Sequence, residues 1–130
     1  MLFGLFKKNP QRESRRLNKD AAAVVEFARV TYRAEILREI ARITRDGIAQ
    51  IDASGADDPQ RRKQAVGRFK ALHRDARQRQ QQAGLTAYTL IIIYASSLEH
   101  GDASAPAREA IADYLAQWPP EQHEPGTLEG

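Results

Sequence analysis

Cysteine is absent from this 130-residue chain, which excludes disulfides, thiol nucleophiles and thiolate metal sites while leaving the redox compartment open. Glycine is sparse: eight residues in all, with Gly47, Gly55, Gly67, Gly84 and Gly101 isolated, so no glycine-rich phosphate loop is present. The three histidines, His73, His100 and His123, stand in separate segments. None has a second ligand at metal spacing on a helix face, and neither a metal site nor a cofactor is expected.

Long hydrophobic runs are missing too. The longest, residues 85–98, has 14 residues including four Thr/Ser hydroxyls and stops at Glu99-His100-Gly101, a length that suits a buried segment better than a membrane span. The opening Met1-Leu2-Phe3-Gly4-Leu5-Phe6-Lys7-Lys8 is too short to span and places its charges after the apolar run, unlike a secretory signal. The expected location is therefore the cytoplasm, with peripheral attachment at the inner face of the membrane as a further expectation.

What the chain does have is charge sorted by position. Residues 7–19 carry six Lys/Arg against one acid, residues 60–82 carry eight against one, and residues 99–130 carry seven acids against one Arg. A net charge of only +3 thus hides two basic blocks and an acidic end. Basic blocks attract phosphates, anionic headgroups and acidic protein surfaces alike.

The periodicity predicts an all-α fold, a small bundle of about four helices with the first one long. Three regions are expected: a basic N-terminal segment over 1–19, a helical domain over 20–118 and a disordered acidic tail over 119–130. Ala21, Val25, Ala28, Tyr32, Ile36, Ile40, Ile43, Gly47 and Ile51 recur at steps of three or four from Asp20, the stripe of one long helix. Val24, Phe27, Val30, Leu37 and Ile48 widen its apolar surface. Asp58-Pro59 is a start signal for a second helix, an acceptor followed by a residue with no amide to leave unpaired. That helix is expected to run to about Gln82, ending before Gly84, with a narrow apolar face of Ala65, Val66, Phe69, Leu72, His73 and Ala76.

Residues 85–98 are ambiguous. Thr86, Tyr88, Thr89 and Ile91 to Ile93 favour strand, but no second strand exists to pair with. A helix buried on most sides is the expectation, with strand pairing between two copies as the alternative. Ser104 before Ala105-Pro106 starts a short last helix with Ala107, Ala110, Ile111, Tyr114 and Leu115 on its apolar face, stopped at Trp118-Pro119-Pro120. The consecutive Leu90 to Tyr94 would cover nearly the whole circumference of a helix, which points to a homo-oligomer or partner interface.

Two surfaces carry the functional expectation. At ~100° per residue, Lys63, Lys70, Arg74 and Arg77 fall within a wedge of roughly 60°, with no acid of that helix beside them. Arg61, Arg68 and Arg79 line the other flank, where Asp75 pairs with Arg79. The second surface is the apolar Leu2, Phe3, Leu5 and Phe6 followed by Lys7 and Lys8, the two-part arrangement of peripheral membrane binding. Position 2 is leucine where myristoylation requires glycine. Glu35 and Glu39 share a face, but Arg38 and Arg42 interleave with them as an ion-pair lattice rather than an acid/base dyad.

No small-molecule substrate is evident and no catalytic residue is expected. The chain reads as a non-enzymatic interaction or adaptor protein docking on an acidic surface within a membrane-adjacent complex. The alternative is sequence-independent nucleic-acid binding through the basic second helix, without stacking aromatics or a groove-reading motif. The acidic tail, with Glu121, Glu124 and Glu129, is a candidate to fold over the basic stripe.

Overall fold

The computed structural model describes residues 10–54 and 57–120. Five α-helices and one 3-10 segment account for most of them: α1 Pro10–Thr31, α2 Ala34–Ala53, α3 Pro59–Gln78, α4 Gln82–Ser97, the 3-10 segment Leu98–Ser104, and α5 Ala105–Gln117. Among the described residues there is no strand, so the expected all-α bundle is what forms.

The strand-like segment lies in α4, and every other helix packs against it. Leu90, Ile91, Ile93 and Ala87 are buried, and Ile92 and Tyr94 are partly so. β-branched residues are poor helix formers in isolation, but four surrounding elements satisfy their need for burial better than an unpaired strand would satisfy its backbone. The consecutive apolar run is therefore covered largely by the chain's own helices. The partner interface inferred from that run is not needed to bury it.

The single long helix expected from Asp20 to Ile51 is two helices that begin earlier. α1 starts at Pro10, so residues 10–19 belong to the bundle, and Ser14 and Leu17 extend its buried face ahead of Ala21. The sequence stripe obscured this start because Leu17 is the one apolar side chain among the otherwise polar or proline residues 10–19. Arg33 is extended at φ −75°, ψ 165° and breaks the helix. A continuous helix over residues 10–53 would be about 66 Å long at 1.5 Å per residue, far beyond anything the 16-residue α4 can cover. Dividing the stripe lets α1 pack on α4 and α5 while α2 takes a different side of α4.

Gly47 sets the spacing of α2 and α4. A Cβ there would lie 2.2 Å from Ile91 Cδ1 and 2.7 Å from Cγ1, so the two helices approach over a missing side chain. Farther along the same contact, the Tyr94 hydroxyl donates to Asp52 Oδ1 at 2.8 Å. Burial, with that hydrogen bond second, pushes the Tyr94 hydroxyl up to about 12.

α3 starts as expected. Asp58 Oδ1 accepts from the amides of Gln60 (3.0 Å) and Arg61 (3.3 Å), and Pro59 occupies the first helical position. Its end differs from expectation: α3 stops at Gln78, where Gln80 takes the left-handed conformation at φ 57°. Gln81 N donates to Ala76 O at 2.8 Å and Gln80 N to Arg77 O at 3.2 Å, a Schellman closure with glutamine where glycine is usual. Gly84, read as the terminator, is instead a buried position inside α4. A Cβ built there would stand 3.5 Å from that of Ala76 and 3.3 Å from the Tyr88 ring.

The α4 to α5 corner is held by side-chain hydrogen bonds, local ones and those of Asn18 from α1. Arg108 donates to Ser97 O at 2.8 Å and Gly101 O at 2.8 Å, and the Ser104 hydroxyl donates to Ser97 O at 2.6 Å. Ser104 precedes α5, as the sequence suggested, yet makes no side-chain cap. That role falls to Asn18 of α1, which accepts from Ala107 N at 2.9 Å and donates to Ala103 O at 3.0 Å. Tyr114 completes the tie between α5 and α2 by donating to Leu37 O.

Candidate functional site

α3 binds the bundle with a narrow face. Ala65, Phe69 and Ala76 are buried against α4, and Phe69 meets the Tyr88 ring at 6.3 Å between centroids. Leu72, expected on that face, is 42% exposed, because it points toward α2, where the two helices touch only over a short stretch. The rest of α3 is solvated.

The structure places Lys63, Lys70, Arg74 and Arg77 together on that solvated side, all exposed. Among the described residues no ion pair involves any of the four. Arg68, on the other flank, is likewise exposed and without an ion pair among the described residues, whereas Arg61, Arg62 and, just past the helix, Arg79 are engaged. Arg79 Nε pairs with Asp75 Oδ1 at 3.1 Å and Arg61 with Asp58 at 3.6 Å, while Arg62 is buried with its guanidinium 3.9 Å from Glu99 of the 3-10 segment. Of the five α3 cations without an ion pair, four therefore fall on this one wedge, and Arg68 stands on the opposite flank.

Beside the stripe lies a trough that sequence reasoning did not foresee. α1 and α3 flank α4 and leave part of its surface uncovered. Two adjoining hollows of about 460 and 360 Å³ run there, sharing Ala23, Val24, His73 and Thr89. Phe27 and Tyr32 stand at one end, Ile92 and Asp20 toward the other, and Arg77 of the basic stripe is part of the wall. Phe27 is 55% exposed and meets Tyr32 edge-on at 6.0 Å. The signal was present in the excess apolar width of α1 at Val24, Phe27 and Val30, but not the identity of the opposite wall, some fifty residues away.

His73 lines both hollows, half-buried. Burial first, and then the neighbouring Arg77 charge, hold its imidazole below the usual 6.5, so it is neutral at pH 7 and adds no cation to the trough.

The other expected groups fall elsewhere. Glu35, Arg38, Glu39, Arg42, Arg45 and Asp46 line a hollow of about 660 Å³ on the outer side of α2, closed by Pro119 and Pro120. Arg42 donates twice to Glu39, at 2.8 and 2.7 Å, and its hydrogen bonds hold the Glu39 carboxyl below the usual carboxylate range. A carboxylate so held does not act as a proton donor at neutral pH. Arg45 donates to the carbonyls of Leu115 (3.0 Å) and Trp118 (2.9 Å), and Arg38 stacks 5.5 Å from the Trp118 ring centre. These arginines tie α2 to the end of α5.

His100 lies in the 3-10 segment, apart from His73. Among the described residues no group of three or more His, Asp or Glu is placed to hold a metal ion, and no helix is long and apolar enough to cross a membrane. Leu2, Phe3, Leu5, Phe6, Lys7 and Lys8 lie outside the described residues, as do His123 and the acidic Glu121, Glu124 and Glu129. Comparisons with protein-family models, curated proteins and solved structures found no match for the chain.

Proposed function

We propose that this chain is a non-enzymatic helical interaction protein that docks on an acidic surface, with the exposed side of α3 as its contact face. The observation that carries this reading is that Lys63, Lys70, Arg74 and Arg77 are exposed, adjacent and free of ion pairs among the described residues. Cations unpaired in the folded chain lose no internal partner on binding, so their full attraction is offered to an external anion. A protein surface is favoured over a nucleic acid because the stripe borders an apolar trough, which a phosphate backbone has no use for. The apolar residues Leu2, Phe3, Leu5 and Phe6 with Lys7 and Lys8 would bring the complex to an anionic membrane.

The test compares the full chain with a K63E/K70E/R74E/R77E variant for binding to fluorescent polyglutamate at increasing salt. Loss of binding in the variant, with unchanged helicity by circular dichroism, is the expected result; equal binding by both sinks the reading. A duplex oligonucleotide bound more tightly than polyglutamate at 150 mM salt would favour nucleic acid instead. Flotation with phosphatidylserine vesicles, for the chain and an L2S/F3S/L5S/F6S variant, decides the membrane component: it stands only if the chain floats and the variant does not.

A further inference from the structure

We infer that the trough between α1 and α3 is a seat for an amphipathic acidic helix of a partner protein, an assignment that rests on the acidic-docking reading above and gives it a location. The trough has two chemically different parts. Its floor and one wall are mainly apolar, made by Leu85, Ile92 and the Thr89 side chain of α4 with Val24 and Phe27 of α1. The one acid there, Asp20, stands at the end of the α1 wall remote from Arg77. Its other wall is α3, where Arg77 enters the trough and Arg74 and Lys70 follow along the same exposed wedge.

The shape selects a helix. Phe27 of α1 and Tyr32 just past its end meet the start of α4, and Asp20 meets Ile92 and Ile93 farther along, so α1 runs opposite to α4. On the other side Ala76 of α3 abuts Gly84, and Arg62 reaches Glu99, so α3 runs opposite to α4 as well. Two helices lying alongside a third leave a straight channel, and a helix offers such a channel a continuous apolar stripe with all of its backbone hydrogen bonds already made.

The charge selects its flank. A helix seated in the channel presents residues beside its apolar stripe to the α3 rim, where unpaired Lys and Arg favour Asp or Glu and penalise Lys or Arg. A second copy of this chain is a poorer occupant. Among the described residues the exposed large apolar side chains are Phe27, Val30 and Leu72, all on α1 or α3, so these residues offer the channel no acidic helix with an exposed apolar stripe. Two copies joined through these faces would also bring like-charged α3 rims together.

The experiment measures anisotropy of a labelled 18-residue helical peptide with a leucine stripe flanked by glutamates, titrated with the full chain at 150 mM salt. The probe is compared with its Leu→Ser and Glu→Lys counterparts. The chain is compared with A23W, which fills the trough from an exposed position, F27S, which removes an exposed wall residue, R74E/R77E on the rim, and A49W on the solvated side of α2 as a control. Thermal melts confirm that each variant is folded.

Binding of the leucine–glutamate probe, weakened at least tenfold by either change of peptide and by A23W, F27S and R74E/R77E, with A49W unchanged, is the expected result. If R74E/R77E abolishes binding while A23W and F27S do not, the helix seat is wrong and acidic docking survives. If the Leu→Ser peptide binds as well as the parent, the seat is again wrong. Failure of the probe to bind at millimolar chain overturns the seat, and the polyglutamate titration then shows whether acidic docking falls with it. A mass by light scattering that doubles with concentration, and that A23W returns to monomer, would make the occupant a second copy and overturn the assignment.

Discussion

α3 and α4 are consecutive helices of similar length, 20 and 16 residues, packed against one another and held in opposite ways. α4 is contacted by every other helix, left open along the trough, and has no Lys, Arg, Asp or Glu. α3 is fastened along one edge by a few small residues and one phenylalanine, and the remainder of its surface is basic and solvated. The difference shows that an element's place in the bundle follows from how many of its sides have a partner. A helix with partners on most sides needs no amphipathic pattern, and one packed along a narrow edge leaves most of its surface available for other molecules.

Phe69→Ala is the strongest way to break this contrast. It removes the only large fully packed apolar side chain of α3 and is expected to cost about 3–5 kcal/mol in urea denaturation. Because α4 keeps its other neighbours, hydrogen exchange should rise first in α3 amides and later in α4. Uniform acceleration through both helices would show that they open as one unit.

Gly47→Ala tests the enclosed side. The new methyl would sit inside the van der Waals radius of Ile91, with an overpacking cost of about 1–3 kcal/mol against a helix-propensity gain of up to ~1 kcal/mol. Net destabilisation is expected. Combining it with Ile91→Ala should cost less than the sum of the two single changes; strict additivity would mean that the contact is not the cause.

Gly67→Ala sharpens the comparison with the opposite sign. Gly67 lies on the exposed side of α3, and a Cβ there meets nothing within 4 Å, so only the helix propensity remains. A gain of about 0.5–1 kcal/mol is expected, visible as a higher midpoint with an unchanged slope in urea.

The smallest effect belongs to His73. Its imidazole is held below 6.5, with Arg77 beside it and Asp20 across the trough. When pH falls, the unfolded chain takes up this proton before the folded one. The contribution is therefore flat well above pH 6.5, and stability declines as pH drops through 6.5 toward the lower folded value. His73→Gln should lessen the fall in melting temperature between pH 7 and 5 relative to the unsubstituted chain; an identical fall would show that His73 does not contribute.

Much of this architecture was legible in the sequence where the interactions are local. The start of α3 depends on Asp58 and Pro59 and on amides two and three residues away, so it could be read directly. The alignment of Lys63, Lys70, Arg74 and Arg77 follows from helical periodicity alone, as does the pairing of Asp75 with Arg79. The α1–α2 break was not legible, because no proline or glycine marks Tyr32-Arg33 and the apolar period passes through it unchanged.

Gly84 and Asn18 illustrate the other limit. A glycine two residues past an expected helix end reads as a terminator, until Ala76 of the preceding helix is found packed where its side chain would be. Asn18 sits in a polar stretch with no local mark of importance, yet its amide caps a helix 89 residues later. The trough is of the same kind, since its walls come from α1 and α3 and its floor from α4.

Helical class, the capped start of α3 and the phase of its charges were settled along the chain, because each depends on residues within one or two turns. The division of the first helix, the enclosure of α4, the free edge of α3 and the trough beside it arose only when distant segments packed. They depend on which surfaces of separate helices find each other, and periodicity within one helix does not encode its neighbour.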